Sequence, residues 1–136
     1  MSTFTPFVAA LHVFVGGGFG AVLRWQLGRA MTGWLGVPIV TAFPFATLAV
    51  NAAGSLAMGL LAGWLARHGG GGGEQLRLLL GVGLLGGFTT FSAFSLEMVM
   101  LLERGNYLFA LLYAILSLAM GITGLMVGLG VMRMAG

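Results

Sequence analysis

Asn51 stands four residues after Thr47 and four before Ser55, so three polar side chains share one face of an otherwise apolar helix. An amide inside a membrane span is expensive unless paired. Asn51 is therefore either an ion ligand or a hydrogen bond between helices. A second polar face pairs Tyr113 with Ser117 at the same spacing and continues to Gly121. A lone serine in a membrane helix usually bonds its own backbone, so Ser117 gains meaning only from its neighbours. The third and densest cluster is Gly86-Gly87-Phe88-Thr89-Thr90-Phe91-Ser92-Ala93-Phe94-Ser95, with one carboxylate, Glu97, just beyond. Two glycines there interrupt a would-be span. Phe88, Phe91 and Phe94 follow as an i, i+3, i+6 stripe beside Thr90 and Ser95.

Irregular backbone at membrane depth is tolerated only where protein or a water-filled cavity covers it. A break carrying hydroxyls and ring edges is thus a place to handle an ion. Amide N–H groups and hydroxyls donate, and phenyl rings have a positive edge, a lining that favours a small anion. Arg24, where the first helix leaves the apolar zone, suits a vestibule that attracts anions. Backbone carbonyls freed between Gly86 and Thr89 would do the reverse and hold a cation. Both readings stay open on the residues alone.

Other chemistry is excluded or weak. There is no cysteine, so disulfides, thiolate metal sites and thiol nucleophiles drop out. His12 and His68 lie far apart in the sequence and do not make a metal-ligand set, and no nucleophile–base–acid set is present, so no enzyme is expected. Gly81-Val82-Gly83-Leu84-Leu85-Gly86 matches GxGxxG but lies in an apolar span with no strand before it. Gly69 to Gly73 lacks the lysine of a phosphate loop and reads as a linker. The net charge of +3 comes from six arginines and three glutamates with no basic cluster, which argues against nucleic acid as a partner.

The elements that must position these residues are membrane helices. The chain has 136 residues, of which 59% are hydrophobic and 7% charged, and a mean hydropathy of +1.05. Soluble domains carry about 25% charged residues. A span needs about 20 apolar residues, which predicts helices over residues 7–31, 44–66, 75–102 and 107–132. The second starts at Pro44, a favoured first helical residue. The third is expected to break near its middle, at Gly86-Gly87. The opening Met1 to Pro6 lacks a signal peptide's positive region, so the first run reads as a retained span. Short connections leave no room for a soluble domain, and residues 1–136 form one all-α, four-helix transmembrane domain in this reading.

Arg67, Arg77 and Arg133 fall at one membrane face and Arg24, Arg29 and Arg104 at the other. Arginine and lysine bias sets orientation, and here it is balanced. The expectation is dual topology and an antiparallel homodimer, its two-fold axis in the membrane plane. Glycine is abundant, at 25 residues, and recurs at small-xxx-small spacing. The pairs are Gly16 and Gly20, Ser55, Gly59 and Gly63, Gly83 and Gly87, and Gly124 and Gly128. Such spacing lets helix backbones approach closely in lipid.

At these residues the chain resembles the Fluc (CrcB) fluoride channel family over nearly its whole length. The resemblance rests on Gly17-Gly18-Phe19-Gly20-Ala21-Val22-Leu23-Arg24-Trp25, on Pro44 to Gly59 with Thr47 and Asn51, and on Gly86 to Ser95. Trp25, Ala46, Leu56 and Ala93 depart from common family residues, and Ala93 removes one hydroxyl from the break region. The resemblance implies an antiparallel dual-topology homodimer with two fluoride pores along its interface. By position, Asn51 would donate to fluoride and Phe91 and Phe94 would present ring edges. Thr47, Thr90, Ser92, Tyr113 and Ser117 would add polar contacts, and Arg24 the vestibule charge. A structural sodium ion at the two-fold axis would be held by backbone carbonyls of Gly86 and Thr89. Glu97 matches an acidic family position.

The function implied is passive export of fluoride across a bacterial inner membrane. Neutral HF crosses lipid and ionises inside the cell, and an inside-negative potential then drives the anion out at about 2.3 kcal/mol per charge per 100 mV. One alternative is a small multidrug-type proton-coupled exporter. That resemblance calls for an acid central in the first helix, and none lies between Phe7 and Leu23. The other is a non-transporting membrane assembly protein, in which glycines and Asn51 only pack helices.

Overall fold

The computed structural model describes residues 5–135 and is all-helical. The opening residues 1–4, part of the stretch read above for a missing signal peptide, lie outside the described residues. Helix α1 spans Pro6–Leu35, α2 Val37–Ala42 and α3 Phe45–His68. A third apolar run starts with α4, Gly73–Leu76, and continues as a π-helical stretch, Arg77–Leu85. It then passes through α5, Gly86–Phe88, and ends as α6, Phe91–Glu103. Helix α7 spans Tyr107–Met134. The four candidate membrane spans are Pro6–Leu35, Phe45–His68, Gly73–Glu103 and Tyr107–Met134.

Each terminus has a local cause. Thr5 caps α1 by accepting from the Val8 N–H, with Pro6 in the first turn. The helix passes the expected end at Met31 because no residue stops it until Gly36, whose φ of 85° ends the ladder. At 30 residues α1 is about 45 Å long, more than a hydrocarbon core needs. Pro44 precedes α3 as its cap, and the first helical residue is Phe45. Pro44 was expected inside the helix. The linker expected over Thr32 to Phe43 instead carries the last turn of α1 and all of α2.

Two helix pairs make up the fold. Helix α1 packs on the π-helical stretch and α5, and α3 packs along α7. Glycine makes both contacts backbone-deep. A methyl group on Gly16 would lie 2.8 Å from the Leu84 nitrogen, and one on Gly20 would lie 2.7 Å from the Phe88 nitrogen. Across that seam Gly83 faces Gly16, and Gly87 faces Gly17. Between α3 and α7, Gly59 abuts the Leu125 carbonyl, Gly63 abuts Met132, and Gly128 fits against Leu56 and Leu60. The small-xxx-small spacings thus mark the true seams.

Burial is inverted relative to a soluble protein. Large apolar side chains such as Phe14, Phe19 and Ile122 face outward, while Tyr113 is fully buried and Thr47 and Thr90 nearly so. Such a surface suits lipid, and packing and polar contacts hold the interior. At one end Arg104 Nη1 donates to the Thr41 carbonyl at 2.9 Å. At the other, an Arg67 guanidinium N–H donates to the Arg133 carbonyl. The first contact ties the end of the third span to α2, and the second ties the last turns of α3 and α7 together.

Candidate functional site

The third span breaks at Thr89 and Thr90, three residues beyond the expected Gly86-Gly87. Those glycines remain helical, whereas Thr89 (φ −78°, ψ 157°) and Thr90 (φ −152°, ψ 124°) are extended. The cause lies on α3. Gly54 has no side chain, so Thr89 Cγ2 and the Phe88 ring press against α3 at that point. One turn earlier Asn51 meets the break. Its Nδ2 donates to the Thr90 carbonyl at 2.9 Å, and its Oδ1 accepts from the Thr90 N–H at 2.8 Å. The side chain therefore satisfies both polar groups of one residue that has left the helix, as buried backbone requires.

The same rearrangement releases carbonyls. In a continuous helix the Thr90 N–H would bond Gly86 and the Ala93 N–H would bond Thr89. Here the first is taken by Asn51, and the second donates to Thr90 Oγ1 at 3.2 Å as an N-cap. Thr89 itself stays anchored backward. Its N–H and its hydroxyl both donate to the Leu85 carbonyl, at 2.9 and 2.8 Å.

A carboxylate cluster sits beside the break. Thr47 Oγ1 donates to Glu97 Oε1, and the Tyr113 hydroxyl donates to Glu97 Oε2, each at 2.7 Å. Three helices, α3, α6 and α7, meet at this one side chain. Thr47 and Tyr113 thus spend their hydroxyl protons on Glu97. Glu97 had no assigned place in the site read from sequence. A signal for it existed, because an acid inside a span needs a partner, and only tertiary structure says which.

Phe94 connects the two clusters. Its ring lies 4.9 Å from Tyr113 and 5.8 Å from Phe91, centroid to centroid. Asn51, Thr90, Phe91, Phe94 and Ser117 line one groove of about 350 Å³ with Ser55, Thr89 and Gly121. The expected polar faces of α3 and α7 therefore converge. Ser117 Oγ is shielded from solvent and has no partner among the described residues, so it does not bond its own helix. Asn51 has a second amide proton beyond the one given to Thr90. The groove thus offers uncommitted donors next to two ring edges. Phe91 is 80% exposed on the single chain, so the groove's outer wall is open.

A second, larger groove of about 620 Å³ opens beyond Glu97 and is lined by Trp25, Arg29, Thr41, Arg104 and neighbouring residues. The two grooves share no lining residue; Phe94 lines the smaller and Glu97 the larger, and Tyr113 touches both side chains. Arg24, expected at a vestibule, lies half-buried on α1 and lines neither groove. Ser92 is exposed, lines neither groove, and sits 3.4 Å from Thr90 Oγ1, oxygen to oxygen. Ser95 donates back to the Phe91 carbonyl.

Residues 11–129 match the family model described as CrcB-like protein, Camphor Resistance (CrcB). A protein of Erythrobacter litoralis (strain HTCC2594) named fluoride-specific ion channel FluC is 56% identical over 134 residues, 98% of this chain and 98% of that protein. A protein of the same name from Novosphingobium aromaticivorans is 58% identical over 125 residues, 92% of this chain and 96% of its own. A third, from Phenylobacterium zucineum, is 50% identical over 121 residues, 89% and 92% of the two chains.

Proposed function

We propose that this chain, which belongs to the CrcB-like family, is a fluoride-selective channel through which fluoride leaves the cytoplasm down its electrochemical gradient. It is a multi-pass membrane protein and not an enzyme. The observation that carries the reading is the donor set of the smaller groove. Ser117 Oγ has no partner among the described residues, Asn51 has an amide proton to spare, and Phe91 and Phe94 stand on the same wall. Fluoride is small and strongly hydrated, so a pore must replace its water with donors and still release it. A groove with donors already spent inside the protein would not do this.

The route runs from that groove past Phe94 and Tyr113 to Glu97 and out through the larger groove. Thr47, Tyr113 and Glu97 form a hydrogen-bonded relay on the way, and Thr90 and Ser92 carry hydroxyls near the break. A carboxylate on an anion path is tolerable because two hydroxyls hold both its oxygens. Arg24 acts on the approach through its charge.

The assembled form is an antiparallel homodimer in a bacterial inner membrane. The open outer wall at Phe91 and the even split of arginines between the two ends support it. A second copy would close the groove, and the two-fold axis would give two equivalent paths. A structural sodium ion fits the same arrangement. The carbonyls of Gly86 and Thr89 have lost their helical donors to Asn51 and Thr90 Oγ1. They would hold the ion as hard oxygen ligands, and the ion would supply positive charge and cohesion between subunits.

The test is efflux from liposomes containing the purified protein. Valinomycin-triggered release is read with a fluoride electrode and repeated with chloride inside. Fast, potential-driven fluoride release with little chloride release is expected. A folded protein that releases no fluoride refutes the reading.

A further inference from the structure

The larger groove has an unusual electrostatic make-up. Arg29 and Arg104 both line it, and Glu97 forms part of its inner wall. Both guanidinium groups are held in place without being neutralised. Arg29 lies over the Trp25 ring, 5.1 Å from its centroid, and Arg104 donates to the Thr41 carbonyl. Neither forms an ion pair among the described residues. The acids nearby do not cancel them. Two guanidinium groups on the lining outnumber its one carboxyl group, Glu97, whose oxygens accept from Thr47 and Tyr113, and Glu103 is exposed and does not line the groove. The groove at the opposite end of the subunit differs, because there one arginine, Arg77, meets one glutamate, Glu74.

We propose that Arg29 and Arg104 are steering residues that concentrate fluoride at this mouth of the path. This inference rests on the channel reading and assigns to two residues a task that the sequence placed on Arg24 alone. A concave site with an excess of one sign of charge and low-dielectric walls raises local counter-ion concentration and entry rate. The indole beneath Arg29 and the carbonyl beside Arg104 orient the charges without a carboxylate to quench them. Each guanidinium also keeps unshared N–H donors facing the groove, because Arg carries five. The pull on a hydrated anion acts at a distance and needs no contact. In the proposed antiparallel dimer the two-fold axis puts one such mouth on each membrane face.

The experiment is single-channel or bulk fluoride current at 10 mM sodium fluoride, with and without about 1 M sodium gluconate as an impermeant salt. At the lower salt the screening length is about 30 Å, and at 1 M it is about 3 Å. Wild type is compared with Arg29→Gln, Arg104→Gln, the double variant and the double lysine variant. The double glutamine variant is expected to carry about threefold less fluoride current at low salt and to converge on wild type at high salt. The lysine variant should keep most of the wild-type current at low salt, because it keeps both charges. Equal currents at low salt, or a deficit of the same size at both salts, overturn the proposal. Should the double variant not fold, Arg29→Gln carries the test alone, since Arg29 makes no hydrogen bond or ion pair among the described residues and rests on the Trp25 ring. A wild type silent at both salts refutes the channel reading itself, whereas a conducting wild type without the salt pattern refutes only the steering role.

Discussion

Asn51 grips the Thr90 peptide at two points, one donating and one accepting, from a helix 39 residues away in sequence. This clamp makes a broken helix admissible at membrane depth. It also ties the amide proposed to meet the anion to a backbone segment that lines the same groove. Substitutions at Asn51 therefore act on conduction and on stability together, and the variants separate the two.

Asn51→Asp keeps the acceptor for the Thr90 N–H but sets a carboxylate oxygen against the Thr90 carbonyl. Fluoride efflux should fall by at least tenfold, because a like charge replaces the donor. Asn51→Ala should leave the Thr90 N–H and carbonyl unpaired and destabilise the fold by about 1–3 kcal/mol. Liposome flux and thermal unfolding in detergent measure the two effects. Wild-type flux in the aspartate variant would remove Asn51 from the path.

Phe91 and Phe94 should respond differently although they share a groove. Phe91 is 80% exposed, so Phe91→Ile should leave the subunit's own stability within about 0.5 kcal/mol. It should nevertheless cut fluoride flux sharply, since bulk remains and the positive ring edge is lost. Phe94 packs against Tyr113 and the buried core, so Phe94→Ala should also lower the melting temperature. Unchanged flux in Phe91→Ile would make that ring a packing element.

Tyr113→Phe removes one atom from the core and leaves Glu97 Oε2 without its 2.7 Å donor. A buried acceptor that loses its partner costs about 1–3 kcal/mol. Fluoride flux should drop with it, and Glu97→Gln should restore part of the stability by removing the charge that needed two hydroxyls. Stability unaffected by Tyr113→Phe would mean that water takes over the lost bond.

Gly16 and Gly18 form an internal control two residues apart. A methyl group at Gly16 meets the Leu79 carbonyl and the Leu84 nitrogen, whereas at Gly18 nothing lies within 4 Å. Gly16→Ala should cost about 1–3 kcal/mol through overpacking, and Gly18→Ala should be neutral or slightly stabilising. Denaturation in a detergent series reads the difference, and equal losses would contradict the seam between α1 and the π-helical stretch.

Hydropathy makes the four spans legible, and glycine spacing names residues of close approach without saying which helices pair. Gly16 with Gly20 meets Gly83 with Gly87, and Gly59 with Gly63 meets the helix that carries Gly128. Helical spacing puts Thr47, Asn51 and Ser55 on one face and Tyr113 and Ser117 on another, but that Asn51, Thr90, Phe91, Phe94 and Ser117 share one groove is a tertiary fact that spacing does not carry. The break position is another. Glycine has low helix propensity, so Gly86 and Gly87 drew the expectation, but helices meeting backbone to backbone use glycine for closeness. What unwinds the chain is a side chain on another helix, which no local pattern records. The same holds for Glu97, whose partners lie 50 and 16 residues away. The nine-residue π-helical stretch has no sequence mark that we can identify.

The way the break is satisfied bears on leakage. The Thr90 peptide is completed by an amide side chain, so the kink needs no solvent to exist and has no reason to refold when the passage empties. The bend is sealed from within, and the Thr90 peptide leaves neither its N–H nor its carbonyl unpaired at membrane depth.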